Sequence, residues 1–241
     1  MAKITVPLQP ESVRKSKFIK EDIQYFDFIE SLEELEIPIK DLIYHFPLYA
    51  GQVNIARLLT FYEIYKQVVN ISGEVADIGT WKGASLLTLA KLSSLLEPHS
   101  NTELYAYDWF QGTHTESNYN ESGKTVYQSS RVELEKLISG QGLQDRININ
   151  ELDLSKDTKG YFEGKSWLRF KLIFMDCGIQ AVLKHSLPEF WDKLSNGGIL
   201  VLDHYNHPSS PYESDVVQSL IGDRVVHQIP FSRSPTGYII K

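Results

Sequence analysis

The chain has a single cysteine, Cys177, only two methionines, no long apolar run and no excess of positive charge. Each shortage excludes something. One cysteine cannot close a disulfide within the chain, so this is not a disulfide scaffold, and a reducing compartment is the simplest setting. No apolar run approaches the roughly 20 residues of a membrane span, and the start Met1-Ala2-Lys3-Ile4-Thr5 lacks the apolar centre of a secretory signal. With 24 basic and 31 acidic residues the net charge is −7. That balance argues against nucleic acid or an anionic membrane as the main partner. Glycine (15) and proline (10) are too few for a collagen-like or linker-like chain. The expectation is a cytoplasmic globular protein.

What is present is core material. With 241 residues, 42% of them hydrophobic and 12% aromatic, the chain can bury one sizeable core and carry an arm beside it. The arm is residues 1–51 and the main domain 52–241. The arm has a basic start (Arg14, Lys15, Lys17, Lys20), then an acidic amphipathic stretch from Glu21 to Glu36. Pro38 and Pro47 punctuate it among Tyr44, His45, Phe46 and Tyr49, which suits one or two short helices. Leu58, Leu59, Tyr62, Tyr65, Val68 and Val69 then recur at helical spacing and predict a helix over 55–69.

After Gly73 the rhythm changes. Five short apolar runs, 74–77, 103–108, 146–153, 171–176 and 198–203, alternate with helical stretches that include 84–96, 129–139 and 181–194. Such alternation predicts βαβ units and a mostly parallel sheet. Two last runs, 224–229 and 237–240, lie too close together for a crossover and suit an antiparallel hairpin. The fold class is therefore α/β: a doubly wound, mostly parallel seven-stranded sheet with a C-terminal antiparallel hairpin and an N-terminal helical arm.

Asp77, Asp108, Asp153, Asp176 and Asp203 all fall at or just past a predicted strand end, five of the chain's 13 aspartates in one register. In an open parallel sheet those ends form the edge where ligands bind. Some strand-end aspartates only cap the next helix. In Asp77-Ile78-Gly79-Thr80-Trp81-Lys82-Gly83-Ala84-Ser85 a strand runs through Asp-x-Gly-x-x-x-Gly into a helix. A dinucleotide loop requires Gly-x-Gly-x-x-Gly, and here Trp81 replaces the second glycine. The loop better suits a cofactor without a pyrophosphate, such as S-adenosylmethionine. Asp108, at the end of the next strand, is placed to accept hydrogen bonds from ribose hydroxyls.

The loop resembles that of class I S-adenosylmethionine-dependent methyltransferases, and its Trp81-Lys82-Gly83 is similar to the Trp-Arg-Gly of the macrocin O-methyltransferase-like family. Tyr107-Asp108-Trp109-Phe110-Gln111-Gly112, Phe174-Met175-Asp176, Gly197-Gly198, Leu202-Asp203 and the ending Ile229 to Tyr238 extend the resemblance over residues 52–241. It implies a methyltransferase domain of Rossmann-like fold that methylates a hydroxyl of a small molecule, a sugar or glycosylated natural product, and a homodimer. Asp77, Gly79, Thr80 and Gly83 would hold the methionine portion, with Ser85 beside them, Asp108 the ribose and Asp153 the adenine edge. Trp81 and Trp109 would flank the cofactor, and Tyr44, His45, Phe46 and Tyr49 would close the acceptor pocket.

The resemblance also implies a divalent ion, magnesium or manganese, on one acid after the fourth strand and an Asp-Asp pair after the fifth. The sequence departs here. The pair is Asp203-His204, and Gly178 stands where the family has the second acid of an Asp-x-Asp. Two readings stay open. Asp176, Asp203 and His204 hold a metal, or the site is metal-free and His204 or His207 is the general base. His45, His99, His185 and His227 read as ordinary surface or core residues and Cys177 as a small packed one; His114 lies in a polar loop that is either a lid or merely solvated. The eroded acidic pair also leaves open a cofactor-binding regulatory subunit that has lost catalysis, and a nicotinamide-dependent enzyme is disfavoured by the glycine spacing.

Overall fold

The computed structural model describes residues 19–112, 127–206, 211–232 and 236–241. Helix α1 (Ile19–Leu32) leads through a short 3-10 turn to α2 (Ile39–Tyr44), α3 (Phe46–Tyr49) and α4 (Gln52–Val68). Among its described residues the arm thus contains three α-helices rather than the expected one or two. The Tyr25 hydroxyl donates to the Tyr49 carbonyl at 3.0 Å and ties α1 to the end of α3.

The alternation then follows: β1 (Glu74–Ile78), α5 (Ala84–Leu96), β2 (Leu104–Asp108), α6 (Arg131–Gly140), β3 (Ile147–Glu151), α7 (Thr158–Phe162), β4 (Phe170–Met175), α8 (Gln180–Lys193), β5 (Leu194–Leu202), α9 (Pro211–Ile221), β6 (His227–Gln228) and β7 (Gly237–Ile240). Among the described residues the sheet has seven strands in the order β3-β2-β1-β4-β5-β7-β6. β1 to β5 are parallel, and β7 pairs antiparallel with both β5 and β6. The chain builds outward from β1 to β3, then returns to lay β4 on the other side of β1. That reversal makes β1 and β4 the switch point, where two crossovers leave in opposite directions and open a crevice.

Strand periodicity decides which residues meet which layer. In β4, Leu172 and Phe174 pack with α4, α5 and α6, among Phe61, Ile64, Leu86, Leu89 and Leu134. Ile173 and Met175 point the other way, against Phe162, Leu183, Leu187, Phe190 and Val217 of α7, α8 and α9. A strand covered on both faces reads as a continuous apolar run, which is how 171–176 reads.

Some boundaries differ from expectation. β5 begins at Leu194, directly after α8, and its pairing with β4 slips between Phe170 and Leu172, so the Gly197-Gly198 turn lies inside the strand. The slip hides this extension from a count of alternating residues. β6 is only two residues long. Helices α7 and α9 were not anticipated; α7, at five residues, is too short to show a helical period.

At the N-terminal edge of the sheet, Lys171 is buried to 1% and binds both Glu97 oxygens at 2.6 and 2.7 Å and the Thr102 hydroxyl at 3.1 Å. The Tyr65 hydroxyl donates to Glu97 at 2.6 Å. Removing one partner of such a pair leaves a buried ammonium without its counter-charge. Glu97→Ala is therefore expected to destabilise the fold by about 3–5 kcal/mol in urea unfolding.

Candidate active site at the strand ends

The loop after β1 has little freedom. Gly79 has φ 78°, and a Cβ there would overlap the Asp176 carbonyl oxygen, so the loop crosses the start of the segment after β4 at backbone contact. Its N–H donates to the Tyr107 carbonyl at 2.9 Å. The Thr80 hydroxyl donates to the Asp77 carbonyl at 2.9 Å, and Gly83, at φ 88°, starts α5. Trp81 also has a positive φ, 49°, which a residue with a Cβ adopts rarely. It is held there by its N–H to Asp108 Oδ2 at 2.7 Å and by the Ser129 hydroxyl on its carbonyl at 2.9 Å.

Asp77 is fully buried within β1, and neither side-chain oxygen has a hydrogen-bond partner. Burial pushes its pKa up to about 7 against the pull of the nearby Ser85 and Thr80 hydroxyls. Asp108 ends β2 and braces two turns, taking the Trp81 N–H on Oδ2 and the Phe110 N–H on Oδ1 at 2.7 Å. Burial raises its pKa and those amides oppose the rise. Asp153 turns inward on its own segment. Its Oδ1 accepts from the Ser155 N–H and hydroxyl, and Oδ2 meets Lys156 at 3.0 Å. Burial alone would raise its pKa, but these donors hold it at about 2. The Trp109 indole N–H donates to the Gly112 carbonyl.

The second half of the site grows from β4 and β5. Met175 and Leu202 are partners, and the Asp203 N–H donates to the Met175 carbonyl at 3.1 Å, so Asp176 and Asp203 leave the sheet side by side. His204 Nδ1 lies 3.3 Å from Asp176 Oδ1. Between the two aspartates sits a residue that the sequence reading did not select, Arg57 of α4. Its Nη1 donates to Asp203 Oδ2 at 2.8 Å and its Nη2 to Asp176 Oδ2 at 3.1 Å. Its guanidinium carbon lies 5.2 Å from the Phe61 ring centre and 5.4 Å from that of Phe174. Burial works against its charge, yet the two carboxylates outweigh it and raise the pKa. Asp176 is itself shifted upward, by burial and by Asp203, with His204 and Arg57 opposing.

Glu213 of α9 was also missed. It is fully buried, its oxygens have no hydrogen-bond partner, and burial followed by Asp203 and Asp176 pushes its pKa well up. Tyr44, His45 and Phe46 are exposed. His207 and His114 lie outside the described residues.

Residues 76–205 match the family described as methyltransferase domain, a span that starts in β1 and ends just past His204. The chain belongs to that family. Its seven-stranded sheet with antiparallel C-terminal strands is that of the class I methyltransferase fold, as the loop motif led us to expect. Among solved structures the methyltransferase is similar to the calicheamicin methyltransferase CalS11, at 19% identity over 92% of each chain with a TM-score of 0.79. An apo structure of CalS11, described as a TDP-rhamnose 3'-O-methyltransferase, matches at 20% identity over 92% of this chain and 94% of that one, with a TM-score of 0.73. The O-methyltransferase NovP matches at 17% identity over 78% and 80%, with a TM-score of 0.60. Comparison with curated protein sequences finds no match. Among the described residues no helix is long and apolar enough to cross a membrane.

The residues present fit the cofactor. A buried carboxylate without a partner, Asp77, suits a cationic ligand, and the Gly79 turn brings backbone close to it. A divalent ion fits less well. Asp176, Asp203 and His204 offer ligand atoms within 4.8 Å of one another. Two carboxylates and one imidazole, however, are not the oxygen shell that magnesium requires, and one oxygen of each carboxylate already grips Arg57.

The unpartnered Asp77 has a consequence for stability. With its pKa raised to about 7 in the folded state, the carboxyl holds its proton where the unfolded chain would lose it. Its ionisation therefore weakens the cofactor-free fold progressively from about pH 4 to pH 7, and by a constant amount above. Asp77→Asn is expected to be more stable than wild type, with a gap that widens over that window and then stays level, as read from urea unfolding at a series of pH values.

Proposed function

We propose that this methyltransferase carries a methyl group to a hydroxyl oxygen of a small acceptor, a sugar or a glycosylated natural product. The observation that carries the reading is the acid–imidazole pair of Asp176 and His204 on the same strand-end edge as the Gly79 loop. Transfer to oxygen needs a group that takes the hydroxyl proton, and a positioned imidazole does this near neutral pH. The sugar and natural-product names of the CalS11 and NovP structures support the choice of acceptor class.

When bound, S-adenosylmethionine supplies an electrophilic methyl carbon on a positively charged sulfur. Asp77 pairs with the amino group of its methionine portion, where a positive charge relieves the buried carboxylate. Thr80 and Ser85, both buried beside Asp77, fix the loop and the first turn of α5 around it. Asp108 receives the ribose hydroxyls. Its oxygens take the Trp81 and Phe110 N–H groups, and the Trp109 amide also bears on it; an ionised carboxylate has about four acceptor positions, so one remains. Trp81 and Trp109 flank the cofactor, while Asp153 is left to its own turn. His204 accepts the proton of the acceptor hydroxyl, and Asp176 stabilises the imidazolium that forms. Asp203 stays fixed by Arg57 and by the Thr236 hydroxyl, which donates at 3.5 Å.

Two substitutions separate these roles. His204→Ala is expected to lower kcat by about 100-fold or more, while S-adenosylhomocysteine still binds with wild-type affinity in calorimetry. Retained turnover across a panel of nucleotide sugars and glycosides would remove His204 as the base. Asp108→Asn is expected to weaken S-adenosylhomocysteine binding by at least about tenfold, the scale of one lost charge-assisted hydrogen bond. Unchanged binding would show that Asp108 serves only the Trp81 and Phe110 turns.

A further inference from the structure

Arg57 has a seat built for it. Its two terminal nitrogens reach one oxygen from each aspartate, at 2.8 and 3.1 Å. Its flat face lies by Phe61 and Phe174, two rings that themselves meet edge to face at 4.9 Å. The Arg57 side chain is 29% exposed, against 7% for Asp203, so the contact with Asp203 is well shielded from water. A fork of donors over an aromatic face is the geometry in which arginine, and not lysine, is held. The seat comes from α4, outside the span that the family match covers.

A divalent ion shared by Asp176 and Asp203 would compete with Arg57, which already occupies one oxygen of each. Taking those oxygens would break both Arg57 contacts, and taking the other two would set the ion beside a permanently charged guanidinium. The third position offers His204 instead of a carboxylate, so the ion would also find fewer hard ligands.

We propose that the Arg57 guanidinium is the resident cation of this site, standing where a divalent ion would otherwise bridge Asp176 and Asp203. This deepens the O-methyl transfer reading and rests on it. Arg57 acts as a positioning residue. It cancels one of the two negative charges beside the acceptor hydroxyl and fixes Asp176, which in turn holds His204. A hydroxyl losing its proton there meets less repulsion than two bare carboxylates would impose.

The test uses manganese alone as the probe, on full-length protein freed of metal with a chelator. Wild type, Arg57→Met and Arg57→Met/Asp176→Asn are titrated with manganese in calorimetry, and each is titrated separately with S-adenosylhomocysteine. The methionine keeps apolar contact with Phe61 and Phe174 while removing the charge. The expected result is wild type with no manganese heat, and Arg57→Met with manganese affinity at least about tenfold above wild type, which the double variant loses. Wild-type turnover should also survive the chelator, and manganese should not raise it.

Stoichiometric manganese binding by wild type, or turnover that stops on chelation and returns with manganese, overturns the proposal. So does an Arg57→Met protein that gains no manganese affinity, since Arg57 would then not be what excludes the ion. Arg57→Gln repeats the test if the methionine variant does not fold. Failure of the O-methyl transfer reading would appear separately, as absent S-adenosylhomocysteine binding or absent turnover in a wild type that still excludes manganese.

Discussion

The contact between Gly79 and the Asp176 carbonyl oxygen is the constraint on which the site depends. It holds the loop after β1 against the first residue after β4 at a distance that leaves no room for a side chain. Asp176 is placed by the same neighbour, since its N–H donates to the Ile78 carbonyl at 2.9 Å. The loop after β1 and the Asp176–Asp203 cluster are therefore registered through backbone, which side-chain motion does not disturb. A side chain at position 79 would force β1 and β4 apart and change both halves together.

Charge is distributed unevenly over this edge. Asp77 and Glu213 are buried without hydrogen-bond partners, and both are pushed toward the neutral form by burial. Asp176 and Asp203 share one guanidinium. Asp108 and Asp153 are answered by backbone amides or by a local lysine and serine. Five aspartates in one sequence register thus divide into three physical kinds. One is buried without a hydrogen-bond partner, two share a guanidinium, and two brace turns. The register alone could not sort them, because the distinction lies in which donors other segments bring.

Much of the fold was legible. Strands covered on both faces are written as apolar runs, and α5 begins and ends at the expected residues 84 and 96 because Gly83 and the apolar spacing mark it. What was hidden was local geometry that carries no period, such as the slip within β5 and the five-residue α7. Arg57 was missed for a different reason. Its partners are 119 and 146 residues away in sequence, and the search followed strand ends. Its signal was nonetheless present: Arg57 falls in the buried stripe of α4 with Val53, Phe61 and Ile64, where a lone charge needs an answer. Glu213 gave no such signal, since its helix was not recognised.

Helix α4 carries Arg57 toward one end of β4 and Tyr65 toward the other, where Tyr65 binds the Glu97 that holds Lys171. Eight residues of helix span about 12 Å. The five steps along the chain from Lys171 to Asp176 span about 17 Å, and the long side chains make up the difference. The helix is thus a gauge laid along β4 and fastened at both ends by ions. A single inserted residue between positions 57 and 65 would turn one end by about 100° relative to the other. Only one of the two fastenings could then close, so the spacing between them is as fixed a property of this chain as any motif in its loop.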